Sequence, residues 1–231
     1  MPSTEQTRAL HLETVFQPVI ELGSNDCVAY EALTRFPADA SLTTRERFLA
    51  AREQGAGAAL ELRAIAAALT HLDEIPPTAA LAINVSPDVA VLEEFVELVA
   101  PFAHRLIVEL TEHEPVDDYE FLTSVLDKLR ALGARIAVDD VGAGFASLRH
   151  ILRLAPDIVK LDLSLTSALA DDPRARALTA ALVEFAARTG AAIAAEGIET
   201  PVQLRLLQEL GIDQGQGYLL GRPNPLNAHL N

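Results

Sequence analysis

The chain has 231 residues, half of them hydrophobic, and a formal net charge of −15. This length and composition suit one large α/β domain with a substantial core and exclude disorder over most of the chain. The negative charge repels polyanions, so we expect neither a polymeric nucleic acid nor an anionic membrane as a partner. A small phosphate ligand carried on divalent cations remains compatible with this charge.

The chain contains a single cysteine, Cys27, which excludes an internal disulfide. Its place in an apolar run favours a core thiol over a nucleophile. Residues 1–13 lack the basic start and apolar stretch of a secretion signal, and no later apolar run is long enough to cross a bilayer. We therefore expect a reducing, cytoplasmic location and no membrane contact from this segment.

Short apolar runs predict strands, and helix-length amphipathic stretches lie between most of them. The strands are predicted at 12–20, 27–33, 80–85, 106–110, 135–138, 158–161, 191–195 and, more weakly, 215–219. Helices are predicted at 58–72, 88–100, 117–132, 174–188 and 200–210. Gly133, Gly190 and Gly211 each follow one of these helices, as the left-handed residue after a helix often does.

The first two predicted strands are joined only by residues 21–26, which are rich in turn-forming types. This link is too short for the crossover helix of a parallel pair, so the pair should be antiparallel. The later alternation of strand and helix predicts parallel units in a closed sheet. The expected fold is an α/β, TIM-like (βα)8 barrel with one antiparallel strand near the N-terminus, formed by residues 1–231 as a single domain.

Polar side chains stand at the ends of these predicted strands, where the mouth of a barrel would gather them. Carboxylates are almost never fully buried unless they are paired or bound to a cation, so the adjacent Asp139 and Asp140 at the end of one apolar run suggest a metal site. The whole set comprises Glu31, Asn84, Glu109, Asp139, Asp140, Lys160, Glu196 and Gln216.

Oxygen donors of this number suit hard cations such as Mg²⁺ or Mn²⁺, whereas zinc sites favour the His and Cys that the set lacks. An acid shared between two ions would make a two-metal site, which can generate hydroxide and stabilise the attacking and leaving oxygens of a phosphodiester. Lys160 near such a centre could orient the attacking water or offset developing charge.

Each of these residues also has a simpler interpretation. Asp139 and Asp140 could form a solvated turn with a helix cap. Lys160 could extend to the surface from its strand end. Asn84 could cap the following helix, and Arg35 could pair with Glu31 or another acid.

Seven motifs, in order along the chain, resemble those of the EAL-domain cyclic di-GMP phosphodiesterases. They are Glu31-Ala32-Leu33 with Thr34-Arg35, Asn84-Val85-Ser86-Pro87, Glu109-Leu110-Thr111-Glu112, Asp139-Asp140-Val141-Gly142, Lys160-Leu161-Asp162, Glu196-Gly197-Ile198-Glu199 and Gln216-Gly217-Tyr218. Together they are far more specific than any one motif alone. The resemblance implies a barrel with one antiparallel strand over about residues 12–225, two Mg²⁺ or Mn²⁺ ions, and hydrolysis of cyclic di-GMP to linear pGpG.

The resemblance also implies a role for single residues. One metal ion would be held by Glu31, Asn84, Glu109 and Asp139, and the second by Asp139, Asp140 and Glu196. Catalytic roles fall to Lys160, which would contact the attacking water, to Gln216, which would support the metal and water shell, and to Glu196, which could also accept a proton.

Four further residues are expected around this centre. Arg35 would hold a substrate phosphate, and Gln17 is also assigned to substrate binding. Glu112 would steady the loop after the two aspartates, and Glu199 would have a supporting role. Glu112 and Glu199 could instead be surface acids near a helix N-terminus, where the helix dipole favours them.

The chain departs from the family pattern in the loop after the two aspartates. The family usually reads Asp-Asp-Phe-Gly-Thr-Gly-Tyr-Ser-Ser, and residues 139–147 read Asp-Asp-Val-Gly-Ala-Gly-Phe-Ala-Ser. Val141 removes an aromatic ring, and Ala143 and Ala146 each remove a hydroxyl that could hold the loop. Loosening this loop could lower turnover by about an order of magnitude or more, and it puts the family's homodimer in doubt.

Two alternatives to the phosphodiesterase follow. The first is a catalytically weak or silent cyclic di-GMP receptor, or a protein-docking module of the same fold, which the altered loop at 141–146 would favour. The second is a barrel enzyme that uses magnesium to stabilise an enolate. The second alternative gives no reason for the Glu31-Ala32-Leu33 or Gln216-Gly217-Tyr218 motifs.

Overall fold

Eight strands close into a barrel in the order in which they occur along the chain. The computed structural model describes residues 11–37, 42–111, 116–142 and 145–230, with residues 145–148 described by their backbone alone. The strands are β1 (Glu13–Glu21), β2 (Cys27–Arg35), β3 (Ala80–Val85), β4 (Leu106–Leu110), β5 (Arg135–Val141), β6 (Ile158–Leu161), β7 (Ala192–Ala195) and β8 (Gln214–Gly215).

The strand directions confirm the predicted TIM-like barrel with one antiparallel strand. β1 pairs antiparallel with both of its neighbours, β2 and β8, and every other neighbouring pair is parallel. The short link at 21–26 closes the hairpin, as its length required.

Helices pack around the outside of this barrel. They are α1 (Thr44–Glu53), α2 (Gly57–Leu69), α3 (Pro87–Ala90), α4 (Glu93–Val99), α5 (Tyr119–Ala131), α6 (Phe145–Leu154), α7 (Leu163–Ala168), α8 (Pro173–Thr189) and α9 (Pro201–Leu210), with 3₁₀ turns at Leu72–Glu74, Ala100–Arg105 and Leu226–Ala228. Gly133, Gly190 and Gly211 have φ of 98°, 78° and 83°, which confirms the predicted left-handed residues after three helices. Among the described residues, the structure contains no helix of the length and apolarity that a membrane crossing requires.

The structure divides the predicted helix at 88–100 into α3 and α4. The break falls at Leu92, whose extended backbone (φ −74°, ψ 140°) begins α4. Val91 and Leu92 both pack against the core. Adjacent residues of an unbroken helix would point about 100° apart, so the break lets both side chains reach the same core.

The last strand is shorter than the prediction of 215–219. β8 contains only Gln214 and Gly215, after which the Gln216 carbonyl accepts from the backbone N–H of Ile198 at 3.0 Å. A Cβ on Gly217 would lie 2.2 Å from the backbone of Ile198. The chain therefore leaves the ladder here by passing against Ile198 at a distance that only glycine permits.

The interior of the barrel is filled by a small apolar cluster distinct from the larger core between the sheet and the helices. Its members alternate along the strands with residues that face outwards, because successive side chains of a strand point to opposite faces. The inner cluster consists of Val19, Ala29, Ala80, Ala82, Ile107, Ala137, Ile158 and Ala194. It forms the floor on which the polar residues of the mouth stand.

Candidate active site

A polar layer lies directly above the apolar floor of the barrel. In six strands, the residue two positions after a floor residue is polar, and the period of two places it on the same inward face. The pairs are Ala29 and Glu31, Ala82 and Asn84, Ile107 and Glu109, Ala137 and Asp139, Ile158 and Lys160, and Ala194 and Glu196. The structure therefore brings the predicted strand-end residues together at one mouth.

Lys160 is the centre of this layer. Its side chain is 4% exposed, and its Nζ lies 2.7 Å from Glu109, 2.7 Å from Glu196, 3.1 Å from Asp139 and 3.8 Å from Glu31. The alternative that Lys160 extends to the surface is wrong. The fold therefore contains a buried site in which four carboxylates surround a cation, the ammonium of Lys160.

Glu31 is held from the other side by two amides. The Nδ2 of Asn84 donates to one oxygen of Glu31 at 2.8 Å, and the Nε2 of Gln216 donates to the other at 2.7 Å. Gln216 Nε2 also donates to Gln17 Oε1 at 2.9 Å, and Gln17 Nε2 donates to the Gly221 carbonyl at 2.9 Å. Asn84 is thus engaged at the mouth and makes no cap for α3, whose first turn has no side-chain cap.

Asp139 and Asp140 lie together in β5 and not in a solvated turn. Adjacent residues of a regular strand face opposite sides, but Asp140 has a left-handed φ of 53° and the β5–β6 register shifts between Val138 and Val141. A bulge of this kind redirects a side chain and is common beside active sites. Oxygens of Asp139, Asp140 and Glu196 consequently all lie within 4.8 Å of one another.

Burial and mutual repulsion dominate the electrostatics of these acids. Burial raises the pKa of Glu109 well above its ordinary range and the pKa of Glu196 to about 8, and neighbouring carboxylates add to both shifts while Lys160 opposes them. Burial alone would lower the pKa of Lys160, but the four carboxylates together hold it well above its ordinary value. The ammonium therefore stays charged, and the acids around it are short of positive charge.

The donor set fits hard divalent cations. The cluster holds five carboxylates (Glu31, Glu109, Asp139, Asp140 and Glu196) and one ammonium, so with every acid ionised it would carry an excess of four negative charges, which two divalent ions would balance. The donors are oxygen atoms of acids and amides, which are the ligands that Mg²⁺, Mn²⁺ and Ca²⁺ prefer.

A cavity of about 490 Å³ opens beside this acidic cluster, and Arg35, Asn84 and Asp140 belong to its lining. Arg35 is half-buried there, and its Nη1 donates to the Thr34 carbonyl at 2.9 Å. Within the described part of the chain no ion pair joins Arg35 to Glu31, so the structure gives that alternative no support. The cavity and the acids form one continuous site.

The walls of this cavity are two helices that face each other. After Thr44 at its start, α1 contributes Arg45, Phe48, Leu49 and Arg52, and α2 contributes Glu61, Ala64, Ile65 and Ala68. In both helices the spacing is i, i+3, i+4 and i+7, which defines one helical face. The sequence motifs predict neither wall as part of the site. The sequence does contain a signal for the start of α1, because Thr43 and Glu46 form a capping box.

Of the remaining predicted residues, Glu199 stands apart from the polar layer. Glu199 is exposed, and its backbone N–H donates to Gln203 Oε1 at 2.9 Å, which agrees with a surface acid at the start of α9. Glu112 lies outside the described residues. Cys27 is half-buried, and burial raises the pKa of its thiol, so it agrees with the prediction of an unreactive thiol.

The altered loop is described only in part. Val141 is fully buried at the end of β5. Ala143 and Gly144 lie outside the described residues, and the side chain of Ala146 is not described. The effect predicted for the loop on turnover therefore stays a prediction.

The family model of the EAL domain matches residues 4–223. The chain belongs to the EAL domain family. A curated relative from Pseudomonas aeruginosa, cyclic di-GMP phosphodiesterase PA2567, is 35% identical over 90% of this chain and 38% of its own length. The chain spans 27–38% of the length of this relative and of two others that it matches.

Solved structures of other EAL proteins have the same fold. The PaMucR phosphodiesterase in complex with c-di-GMP superposes with a TM-score of 0.84 at 26% identity and covers 97% of this chain and 96% of its own. The Klebsiella pneumoniae BlrP1 manganese/cy-diGMP complex gives a TM-score of 0.82 at 27% identity and covers 92% of this chain and 56% of its own.

Proposed function

We propose that this EAL domain hydrolyses cyclic di-GMP to linear pGpG in a metal-dependent reaction. The convergence of Glu31, Glu109, Asp139 and Glu196 on Lys160 at the barrel mouth carries the proposal. It is supported by relatives and structural neighbours whose names specify cyclic di-GMP as substrate or ligand. A receptor that only bound the dinucleotide would have no need for this excess of buried carboxylates.

We assign two Mg²⁺ or Mn²⁺ ions to the acidic cluster. Bound ions of this kind activate a water and neutralise charge on the oxygens of a phosphodiester. Glu31, Asn84, Glu109 and Asp139 would hold one ion, and Asp139, Asp140 and Glu196 the other. The assignment is supported by the mutual distances of the second set and by the neighbouring structure that holds manganese beside the dinucleotide.

Lys160 would orient the reacting groups. Its ammonium stays protonated among the carboxylates and donates to Glu109 at 2.7 Å, which fixes its direction within the layer. From that position it can donate to the attacking water and offset charge that develops on the phosphate oxygens.

Glu196 would accept the proton of the attacking water. Of the four carboxylates around Lys160 it has the most exposed side chain, at 23%, whereas Glu31 and Glu109 are at 7% and 3%. A proton acceptor must reach both the water and bulk solvent. Glu196 borders the open mouth, from which it could release this proton to solvent.

Arg35 would hold a phosphate of the substrate at the junction of the acids and the cavity. Gln17 was predicted to bind substrate, but its buried amide is engaged by Gln216 and by the Gly221 carbonyl. We therefore propose that Gln17 acts through Gln216, whose orientation it fixes. The homodimer stays a prediction from the resemblance, and the cytoplasmic location stays a prediction from the composition.

Product analysis after incubation with cyclic di-GMP tests the proposal. With excess Mg²⁺, and then Mn²⁺, we expect linear pGpG to accumulate, and Glu31→Ala to form none. The second candidate, a silent receptor, is favoured by the altered sequence at 141–146. That candidate is supported if the protein binds the dinucleotide in both Mg²⁺ and Mn²⁺ but forms no pGpG.

A further inference from the structure

The groove between α1 and α2 has an apolar centre bounded by charged ends. Phe48 and Leu49 of α1 face Ala64, Ile65 and Ala68 of α2 across the cavity. Its volume of about 490 Å³ is in the range of small-molecule sites. Of the parts of a cyclic dinucleotide, the phosphates and riboses are polar on all sides, whereas a purine has apolar faces and a polar edge. The groove therefore suits a base better than the sugar-phosphate ring.

Arg45 stands at one end of the apolar stretch of α1. The structure gives its guanidinium no hydrogen bond or ion pair with any described residue. By contrast, Arg52 at the other end of the same face pairs with Asp88 at 2.8 Å, and Arg35 donates to the Thr34 carbonyl. Among the described residues, Arg45 is thus a cavity-lining arginine with none of its donors engaged, so all of them can serve a ligand.

The start of α1 is fixed to the mouth of the barrel. Thr44 Oγ1 donates to the Thr34 carbonyl at 3.2 Å, and this carbonyl also accepts from Arg35. One backbone oxygen therefore connects the first turn of α1, which carries Arg45, to the end of β2, which carries Arg35. Arg45 is held within the same site and does not depend on closure of a distant element.

We propose that Arg45 recognises the base that occupies this groove, by donating two hydrogen bonds to the O6 and N7 of guanine. The proposal rests on the proposed function, because it concerns the same substrate. Guanine presents two adjacent acceptors on this edge and matches the guanidinium fork, whereas adenine presents an amino donor in place of O6. Arg45 would thus determine the preference for guanine over adenine dinucleotides.

The test compares wild type with Arg45→Gln, Arg45→Lys and the control Arg174→Gln, whose side chain is 97% exposed on α8. For Arg45→Gln we expect the KM for cyclic di-GMP to rise roughly tenfold with kcat within about twofold, because the contact is made equally in the ground and transition states. Arg45→Lys should lose most of the same affinity, since an ammonium lacks the planar fork. Arg174→Gln should behave as wild type.

Competition by cyclic di-AMP separates a base contact from a phosphate contact. We expect its inhibition constant to stay within about twofold in Arg45→Gln, so that the preference for guanine falls by the same factor as the affinity for cyclic di-GMP. An equal loss of affinity for both dinucleotides would mean that Arg45 holds a phosphate and would overturn the inference. An unchanged KM in Arg45→Gln would overturn it as well.

Calorimetric binding of cyclic di-GMP in Ca²⁺ makes the result independent of turnover. If wild type forms no pGpG in Mg²⁺ or Mn²⁺, and Arg45→Gln weakens the binding in Ca²⁺ roughly tenfold, the proposed function fails and the role of Arg45 stands. If wild type forms pGpG and Arg45→Gln binds as tightly as wild type, the role of Arg45 fails and the proposed function stands.

Discussion

The Nζ of Lys160 lies 2.7 Å from Glu109 Oε2 inside the barrel, where both side chains are almost completely buried. A buried charge is tolerated only with a close partner, and removing one partner leaves the other uncompensated. In this site the imbalance is larger than in a simple pair, because Asp139 and Glu196 also lie within 3.1 Å of the same ammonium. Lys160 therefore stabilises the metal-free fold as well as the proposed reaction.

Lys160→Met should destabilise the metal-free protein. Divalent ions should restore much of the lost stability. Without the ammonium, four carboxylates face one another, and the cost of breaking a buried pair is about 3–5 kcal/mol. We expect a lower melting temperature in chelator and a larger increase on adding Mg²⁺ than wild type shows. Hydrolysis should fall about a hundredfold or more.

Lys128→Met is a matched control, because Lys128 is the other lysine of the chain and is exposed on α5. It should change neither the melting temperature nor turnover. A Lys160→Met protein that melts like wild type in chelator would show that Lys160 does not balance the acids.

The stability of the metal-free protein should fall as the pH rises from about 5 to 8. The pKa of Glu196 is raised to about 8 in the folded protein from an ordinary value of 4.5, so between these values the folded state holds a proton that the unfolded state has released. Each such proton lowers the free energy of unfolding by up to about 1.4 kcal/mol per pH unit. Glu109 shifts in the same direction and adds to the trend.

Thermal unfolding in chelator across this pH range measures the trend. Glu196→Gln should be less steep than wild type, because the substituted amide does not titrate. Saturating Mg²⁺ should also flatten the profile, since a bound cation keeps the carboxylates ionised in the folded state. Metal-free stability that rises between pH 5 and 8 would contradict the account of an acid cluster short of positive charge.

The polar layer could be predicted from the sequence because its rule is local. Wherever an apolar strand has a small or branched residue on its inward face, the residue two positions later faces inwards too, so Ala29 predicts the direction of Glu31 and Ile107 that of Glu109. Parallel strands then bring these positions to the same edge of the sheet. The barrel and the convergence of its acids follow from this period and the lengths of the links.

Other features depended on geometry that a regular period does not contain. Asp139 and Asp140 share one site only because the strand bulges and Asp140 adopts a left-handed backbone, which no alternation predicts. The groove lies between faces of two different helices, and their approach is set by tertiary packing. Arg45 lies in the site because of that approach. The sequence indicates only where α1 begins, through the capping box of Thr43 and Glu46.

Glu31→Ala and Glu196→Ala should each lower hydrolysis by at least about a hundredfold and leave the fold intact. Each removes a carboxylate from the donor set, and neither belongs to the apolar core. In chelator we expect Glu196→Ala to melt at or above the wild-type temperature near pH 8, because one repelling charge is gone. Glu97→Ala, on the exposed face of α4, is the control and should keep full activity. Retained turnover in both site variants would refute the assignment of the active site.

Gly217→Ala should destabilise the protein and reduce turnover, because the glycine lets the chain pass against Ile198 immediately after Gln216. A Cβ at this position would lie 2.2 Å from the backbone N and O of Ile198, and backbone atoms cannot move aside as a flexible side chain can. We expect a loss of roughly 2–4 kcal/mol in the free energy of unfolding. The displaced Gln216 would release Glu31 and Gln17, to which its amide donates.

Gly23→Ala is the matched control for this substitution. Gly23 lies in the turn between β1 and β2, and a Cβ there meets nothing within 4 Å. It should change stability by less than about 0.5 kcal/mol, the range of ordinary surface substitutions. Denaturant unfolding of both variants, with pGpG formation measured on the same samples, separates local strain at the mouth from a general cost of adding a methyl group. A Gly217→Ala protein as stable and active as Gly23→Ala would show that the close approach to Ile198 does not position Gln216.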